Sequence, residues 1–294
     1  MTTVATPAVG RLPLLRLLAG SVCISFSPIF IKLAAMPPDA AGFYRMLFSG
    51  LALLLWLRLS GSAWRLPRAS VLALAVGGVA LGVDFMCWHR SIALVGPGLS
   101  TLLGNFQVFF TALFAALFLG QRLSPRFLGA VLLALGGLLL ITGVDLNALA
   151  PGYRRGIELG LGTAVCYSGY ILLMKRAMGH PAVSGAAAML VISLVCMTFM
   201  ALVSIAGATP LRIPGPTALF ALLGVGVIST TLGWSLISTA MRDTPATLAS
   251  LVLLLQPALS CIWEVLIFHR PVAPHEVFGV LFILSAIYLG SLRG

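Results

Sequence analysis

Asp84 is the residue of this chain best placed to do chemistry. It lies thirteen residues into the apolar run Val71–Val95, and an ionisable side chain at that depth of a membrane helix is costly enough to count as a functional candidate. At helical spacing it shares a face with Gly77, Ala80, Trp88 and Ser91, a small, polar and aromatic stripe suited to a cavity or a neighbouring helix. The functional reading is a partner for a substrate ammonium group or a coupling proton. The structural reading is a hydrogen bond or an ion pair with Lys32 or Arg45, and the two weigh about evenly. His89 and Arg90 follow about a turn and a half later. Arg90 is a candidate for a substrate carboxylate, with an interfacial anchor as the plainer role. Glu264, near the end of a later run, suits gating or structure.

Uncharged polar groups add to this set. Asn105, Gln107 and Gln256 are candidates to hydrogen-bond a zwitterion, against a plain role in gluing helices together worth about 0.6–2 kcal/mol each. Ser21, Ser25, Pro28 and Lys32 recur along one helical face, and Pro28 frees a backbone carbonyl and predicts a kink. Tyr167, Tyr170, Thr231, Trp234, Ser238 and Trp263 complete an aromatic and hydroxyl lining for a small molecule with an apolar body and a few polar ends. Trp56, Trp64 and Tyr288 fit interfacial belts instead. The chain holds no HExxH, GxSxG, P-loop or dinucleotide fingerprint. Catalysis therefore has no foothold, no cofactor or nucleic-acid partner is expected, and transport energy must come from a gradient, with protons as the candidate coupling ion. Five dispersed cysteines, Cys23, Cys87, Cys166, Cys196 and Cys261, show neither metal nor disulfide spacing.

The elements that carry these residues are set by composition. Of 294 residues 60% are hydrophobic and 9% charged, too few polar groups for a soluble fold. Ten apolar runs of roughly 20 residues, each the length of a membrane crossing, are expected at 14–35, 40–59, 71–95, 99–119, 127–144, 156–178, 183–206, 217–241, 246–268 and 277–292. Gly96-Pro97-Gly98, Pro125, Pro151-Gly152, Pro245 and Pro274 punctuate them. The first run reads as an uncleaved signal anchor. Eleven of the 18 Lys and Arg fall on the side of Arg16, Arg58, Arg122, Lys175 and Arg242, so both termini are expected in the cytoplasm. The net charge of +11 is spread over short loops, as this rule requires, and forms no basic run.

The chain also repeats itself. GLSTLLGNFQ from Gly98 aligns with ATLASLVLLLQ from Ala246: Gln107 pairs with Gln256 and Gly129 with Gly279, while Pro125 and Pro274 open the next helix in each copy. Lys32 lines up with Lys175. The halves are 1–145 and 151–294 with five spans each, and an odd number makes the second enter from the opposite face. The expected fold is an all-α polytopic membrane protein of ten transmembrane helices, arranged as two inverted five-helix repeats. Such repeats characterise secondary transporters.

The stretch Trp88-His89-Arg90-Ser91-Ile92-Ala93-Leu94, the run Ser100 to Asn105, Phe109 to Leu113, the loop Leu119-Gly120-Gln121-Arg122-Leu123, Leu255-Gln256-Pro257-Ala258 and Phe43-Tyr44-Arg45-Met46-Leu47 together resemble the EamA-type branch of the drug/metabolite transporter superfamily over the whole chain. It departs from the pattern at Gln121, where the family loop carries an acid, and at Val108, where a proline is usual. The first span lacks the carboxylate used by small multidrug members. The resemblance implies a central cavity open alternately to either side, and fits the amino-acid exporters better than cationic-drug antiporters. The expectation is an inner-membrane exporter of amino acids, aromatic or other apolar ones preferred, or of similar small metabolites. It works as a monomer among membrane lipids by alternating access. Multidrug or nucleotide-sugar transport is the alternative, and a membrane enzyme or receptor the remote one.

Overall fold

Apolar runs with proline at their starts and left-handed residues at their ends can only become helices in a bilayer, where every backbone group must be satisfied within its own segment. The computed structural model describes residues 10–61, 66–121, 123–142, 152–269, 271 and 273–291, and every element among them is helical. The side chains of residues 96–99, 142, 264 and 291 fall outside the description, as do Trp64, Arg65, Arg122 and Arg270. The elements are α1 (Arg11–Ser25), α2 (Ser27–Ala34), α3 (Pro38–Leu59), α4 (Arg68–Asn105), α5 (Gln107–Leu119), α6 (Pro125–Thr142), α7 (Tyr153–Met178), α8 (Gly185–Ala206) and α9 (Pro216–Gly224). A π-helical segment, Val225–Gly233, leads into α10 (Trp234–Ala240), α11 (Ala246–Val252), α12 (Leu255–Phe268) and α13 (Pro274–Ser291). Proline occupies the first turn of α2, α3 and α9, where its missing N–H costs nothing. Ala35, Gly120 and His269 close α2, α5 and α12 in the left-handed conformation, ending each helix.

Among the described residues eight spans are long and apolar enough to cross a membrane, and two shorter apolar helices, Pro125–Ile141 and Pro274–Gly290, stand at the expected fifth and tenth places. At 18 residues each, α6 and α13 measure about 27 Å, close to the roughly 30 Å of hydrocarbon core. Gly96-Pro97-Gly98 separates two spans, Arg68–Val95 and Ser100–Leu119. Helical backbone runs through this expected break as the 38-residue α4. Ser100 Oγ nevertheless donates to the Trp88 carbonyl at 3.4 Å, whereas a straight helix would put them about 18 Å apart. The chain therefore doubles back here, and the third and fourth spans form a hairpin.

The fourth and ninth spans are both interrupted just before their glutamine. α5 begins at Gln107 after a turn at Phe106, and α12 begins at Leu255 after a turn at Leu253-Leu254. Packing follows the exchange of halves. α6 lies on α13 and α3 on α8, each a helix with its own equivalent. α4 runs along α7 as α10 and the π segment run along α1, and α5 meets α7 as α12 meets α1. Close approach is supplied by glycine: a Cβ on Gly279 would lie 2.5 Å from the Gly137 carbonyl, and one on Gly20 would lie 2.7 Å from that of Gly233.

Candidate functional site

Where the halves meet, they enclose a cavity of about 640 Å³, within the range of a small-molecule site. Its lining runs from Leu81, Gln107, Trp234 and Leu253 in the middle of their spans to Ile92, Ile141 and Glu276 at one end. That end holds the start of α3, α7, α9 and α13. Toward the other face, which carries the start of α1 and the end of α13, the interior is closed. Leu17, Leu53, Leu57, Met174, Met178, Val183, Met189 and Met241 are each at most 2% exposed. Hydrogen bonds fasten this closed face. Lys175 Nζ, at the end of α7, donates to the carbonyls of Met241 and Arg242 just beyond α10. Arg242 reaches back to the Met178 and Val183 carbonyls at 3.2 and 2.6 Å. Thr247 Oγ1 donates to Gln121 Oε1 at 3.2 Å, tying the ninth span to the end of the fourth.

Among the described residues three charged groups border the cavity: Glu276 at its end and, deeper within it, Asp84 and Arg45 from different spans. Asp84 on α4 is 6% exposed, and among the described residues its carboxyl has no hydrogen-bond or ion-pair partner, although its backbone carbonyl accepts from Thr163. Arg45 on α3 is fixed from two directions. Its Nε donates to Thr230 Oγ1 at 2.8 Å, and its Cζ lies 5.3 Å from the centre of the Phe85 ring, a cation–π contact worth about 0.5–2 kcal/mol. The π segment makes the first of these contacts. Its wide turns let Thr230 and Thr231 donate to carbonyls five residues back, Val225 and Gly226, and the same Thr230 oxygen then accepts from Arg45. No ion pair within 4.0 Å joins Arg45 to Asp84 among the described residues.

Arg45 is the residue that sequence reasoning missed as a lining cation. It lies seven residues past Pro38, about 10 Å into its span, and that depth was the available signal. Of the expected lining, Trp88, Asn105, Gln107, Tyr167, Trp234, Gln256 and Pro28 do border the cavity with Asp84. Trp234 stands edge-on to Tyr170 at 4.9 Å and to Tyr167 at 6.1 Å, forming an aromatic floor. Gln107 is bound into the scaffold: its Nε2 donates to the Ser250 carbonyl and its Oε1 accepts from Thr111, both at 3.2 Å. Gln256 Nε2 is buried with no partner, as is the Ser27 hydroxyl, and both residues border the cavity.

The structure places other candidates elsewhere. Tyr170 lies behind Trp234 with its hydroxyl toward Met189 Sδ. His89 Nδ1 is 3.0 Å from Asp39 Oδ1, and Arg90 is exposed on its own helix, donating to the Met86 carbonyl. Ser91 donates to the Gly156 carbonyl at 2.8 Å and holds α4 to α7. Thr231 bonds within the π segment and to Ser49, and Ser238 donates to the Ser235 carbonyl. Trp263 donates from Nε1 to Ser25 Oγ at 2.7 Å and stacks on Phe26 at 4.6 Å, clamping α12 to α1. Lys32 Nζ lies 4.2 Å over the Phe268 ring. The Glu264 side chain lies outside the described residues. Among the described residues no three His, Cys, Asp or Glu side chains cluster as metal ligands do.

The EamA-like transporter family model matches twice, over residues 11–143 and 154–292. The chain belongs to that family. Each match covers one half, so the two-repeat architecture of the family is that of this membrane protein. An uncharacterised protein of Pseudomonas aeruginosa is 32% identical over 194 residues, 66% of this chain and 64% of that protein. The pseudopaline exporter CntI of Pseudomonas aeruginosa is 30% identical over 145 residues, 49% of each chain. The chain thus matches about half to two thirds of the length of these curated relatives. A solved crystal structure superposes with a TM-score of 0.80 over 94% of this chain and 95% of the other at 18% identity, a likeness of fold.

Proposed function

We propose that this EamA-like transporter exports amino acids, aromatic or other apolar ones preferred, or similar small metabolites across a bacterial inner membrane by alternating access. Both termini face the cytoplasm. The observation that carries this reading is a cavity shared by both repeats, bordered by charged, aromatic and unpartnered polar groups, and closed, among the described residues, on the terminal side. In this orientation the cavity faces away from the cytoplasm, the state from which an exporter releases cargo. The Lys175–Arg242 fastening then acts as the cytoplasmic gate. Pseudo-symmetric halves offer the counterpart state at similar energy. A coupling proton has a candidate acceptor in Asp84.

The family resemblance carries the choice of amino acids, and Trp234, Tyr167 and Trp88 carry the aromatic preference. A second reading, export of pseudopaline or a molecule like it, draws on the name of the CntI relative. Efflux from proteoliposomes loaded with labelled amino acids, in parallel with pseudopaline, and with and without a pH gradient, separates them. Selective amino-acid efflux supports the first reading, and a response to the gradient supports proton coupling. Efflux of pseudopaline alone replaces the first reading with the second.

A further inference from the structure

The transporter reading leaves open which part of a substrate each side of the cavity recognises, and the inference that follows rests on it. We infer that the cavity has two fixed charge poles and selects zwitterions: Arg45 takes the carboxylate of the substrate, Asp84 takes its ammonium group, and the apolar body lies toward Trp234. Arg45 commits one donor, Nε, to Thr230. The Phe85 ring holds its guanidinium plane, and the Nη donors have no partner among the described residues. A guanidinium with its fork free is suited to a carboxylate, which it binds with two parallel hydrogen bonds. Asp84 borders the same cavity as an acceptor without a partner among the described residues.

Two opposite charges bordering one cavity without touching are an unusual and unfavourable arrangement. A buried charge is stabilised by pairing, and leaving one unpaired is strongly destabilising. A zwitterion inserted between them satisfies both at once without adding net charge to the membrane interior. A cation alone leaves Arg45 unpaired, and an anion alone leaves Asp84 unpaired. Discrimination against a substrate lacking either group therefore comes from the pole left without a partner. The poles belong to α3 and α4, both of the first repeat, whereas Trp234 and Gln256 belong to the second. A bound zwitterion thus touches both moving halves.

The experiment measures flux in proteoliposomes of three labelled probes of similar size: phenylalanine, phenylalaninamide, which lacks the negative charge, and N-acetylphenylalanine, which lacks the positive one. Wild-type protein should carry phenylalanine about tenfold faster or more than either analogue, the scale of one lost charge-assisted hydrogen bond. Arg45→Gln should lose phenylalanine flux and no longer discriminate against the amide. Asp84→Asn should likewise no longer discriminate against the N-acetyl compound. Arg45→Lys keeps the charge and should recover part of the flux. Thermal stabilisation of the wild-type protein by phenylalanine, and by neither analogue, gives the same answer without any variant. Equal flux of all three probes, or selectivity unchanged in both variants, overturns the two poles and leaves the transporter reading standing. Absence of flux and of thermal shift for all three with folded wild-type protein overturns the amino-acid class and the two poles together.

Discussion

Gln107 and Gln256 occupy equivalent places in the two repeats, each one or two residues into the second part of a broken span, yet their amides do different work. Gln107 is 2% exposed and bonded at both ends of its amide, while the Gln256 nitrogen is buried without a partner. Gln107→Leu should therefore lower thermal stability by about 1–3 kcal/mol, the cost of orphaning its buried partners. Gln256→Leu should leave stability unchanged or raise it while reducing transport. Thermal denaturation in detergent together with proteoliposome flux checks both, and a stability loss on Gln256→Leu as large as that of Gln107→Leu would reverse the assignment. From sequence these two residues are indistinguishable, because hydropathy and repeat alignment report depth and equivalence but not hydrogen-bond partners. Asp84 was legible, since a carboxyl in the middle of an apolar run is too costly to be incidental. Arg45 was not, because an arginine two turns into a span also reads as a snorkelling anchor until its contacts with Thr230 and Phe85 are seen.

Helices and their order were readable because a bilayer enforces them. The departures have local causes. Proline and glycine at 96–98 mark the expected break between two spans, where the chain reverses although helical backbone continues through α4. The π segment has no sequence signal, since Val225–Gly233 is as apolar as its neighbours. Its consequence is specific: it presents Thr230 to Arg45. Thr230→Val should therefore release the guanidinium and weaken apparent substrate affinity more than it lowers the maximal rate, measured as flux against concentration. At the closed face, Lys175→Ala removes the donor that holds the carbonyls beyond α10. It should shift the protein toward opening on that side, seen as faster thiol labelling of a cysteine placed at Met174, while a Lys32→Ala control does not increase it. Unchanged labelling at Met174 would show that the apolar plug, and not the hydrogen bonds, holds the gate.

At the scale of the whole molecule, the pairing of α6 with α13 is the tightest expression of the repeat. These are the two shortest spans, they come from equivalent positions, and they cross where the backbone of Gly137 nearly touches that of Gly279. A side chain on Gly279 meets the Gly137 carbonyl first, which is backbone and cannot swing aside, and the Ile141 side chain next, so Gly279→Leu should destabilise the fold by about 1–3 kcal/mol or more by forcing the pair apart. Denaturation of the purified protein tests this. α6 and α13 frame the cavity only at its edge, through Leu138, Ile141 and Glu276. In the proposed alternating-access cycle, the rest of each half tilts about a central site.

That tilting is the central claim, and counterflow tests it most directly. Proteoliposomes preloaded with unlabelled phenylalanine are diluted into a trace of labelled phenylalanine. A carrier that exposes one site alternately to each side makes the label rise transiently above its equilibrium level inside and then fall back. That overshoot is the expected result, and so is its loss in Arg45→Gln. Label that enters and plateaus at equilibrium without an overshoot would mean a continuous pore and would contradict alternating access, and no entry above empty liposomes would contradict amino-acid transport itself.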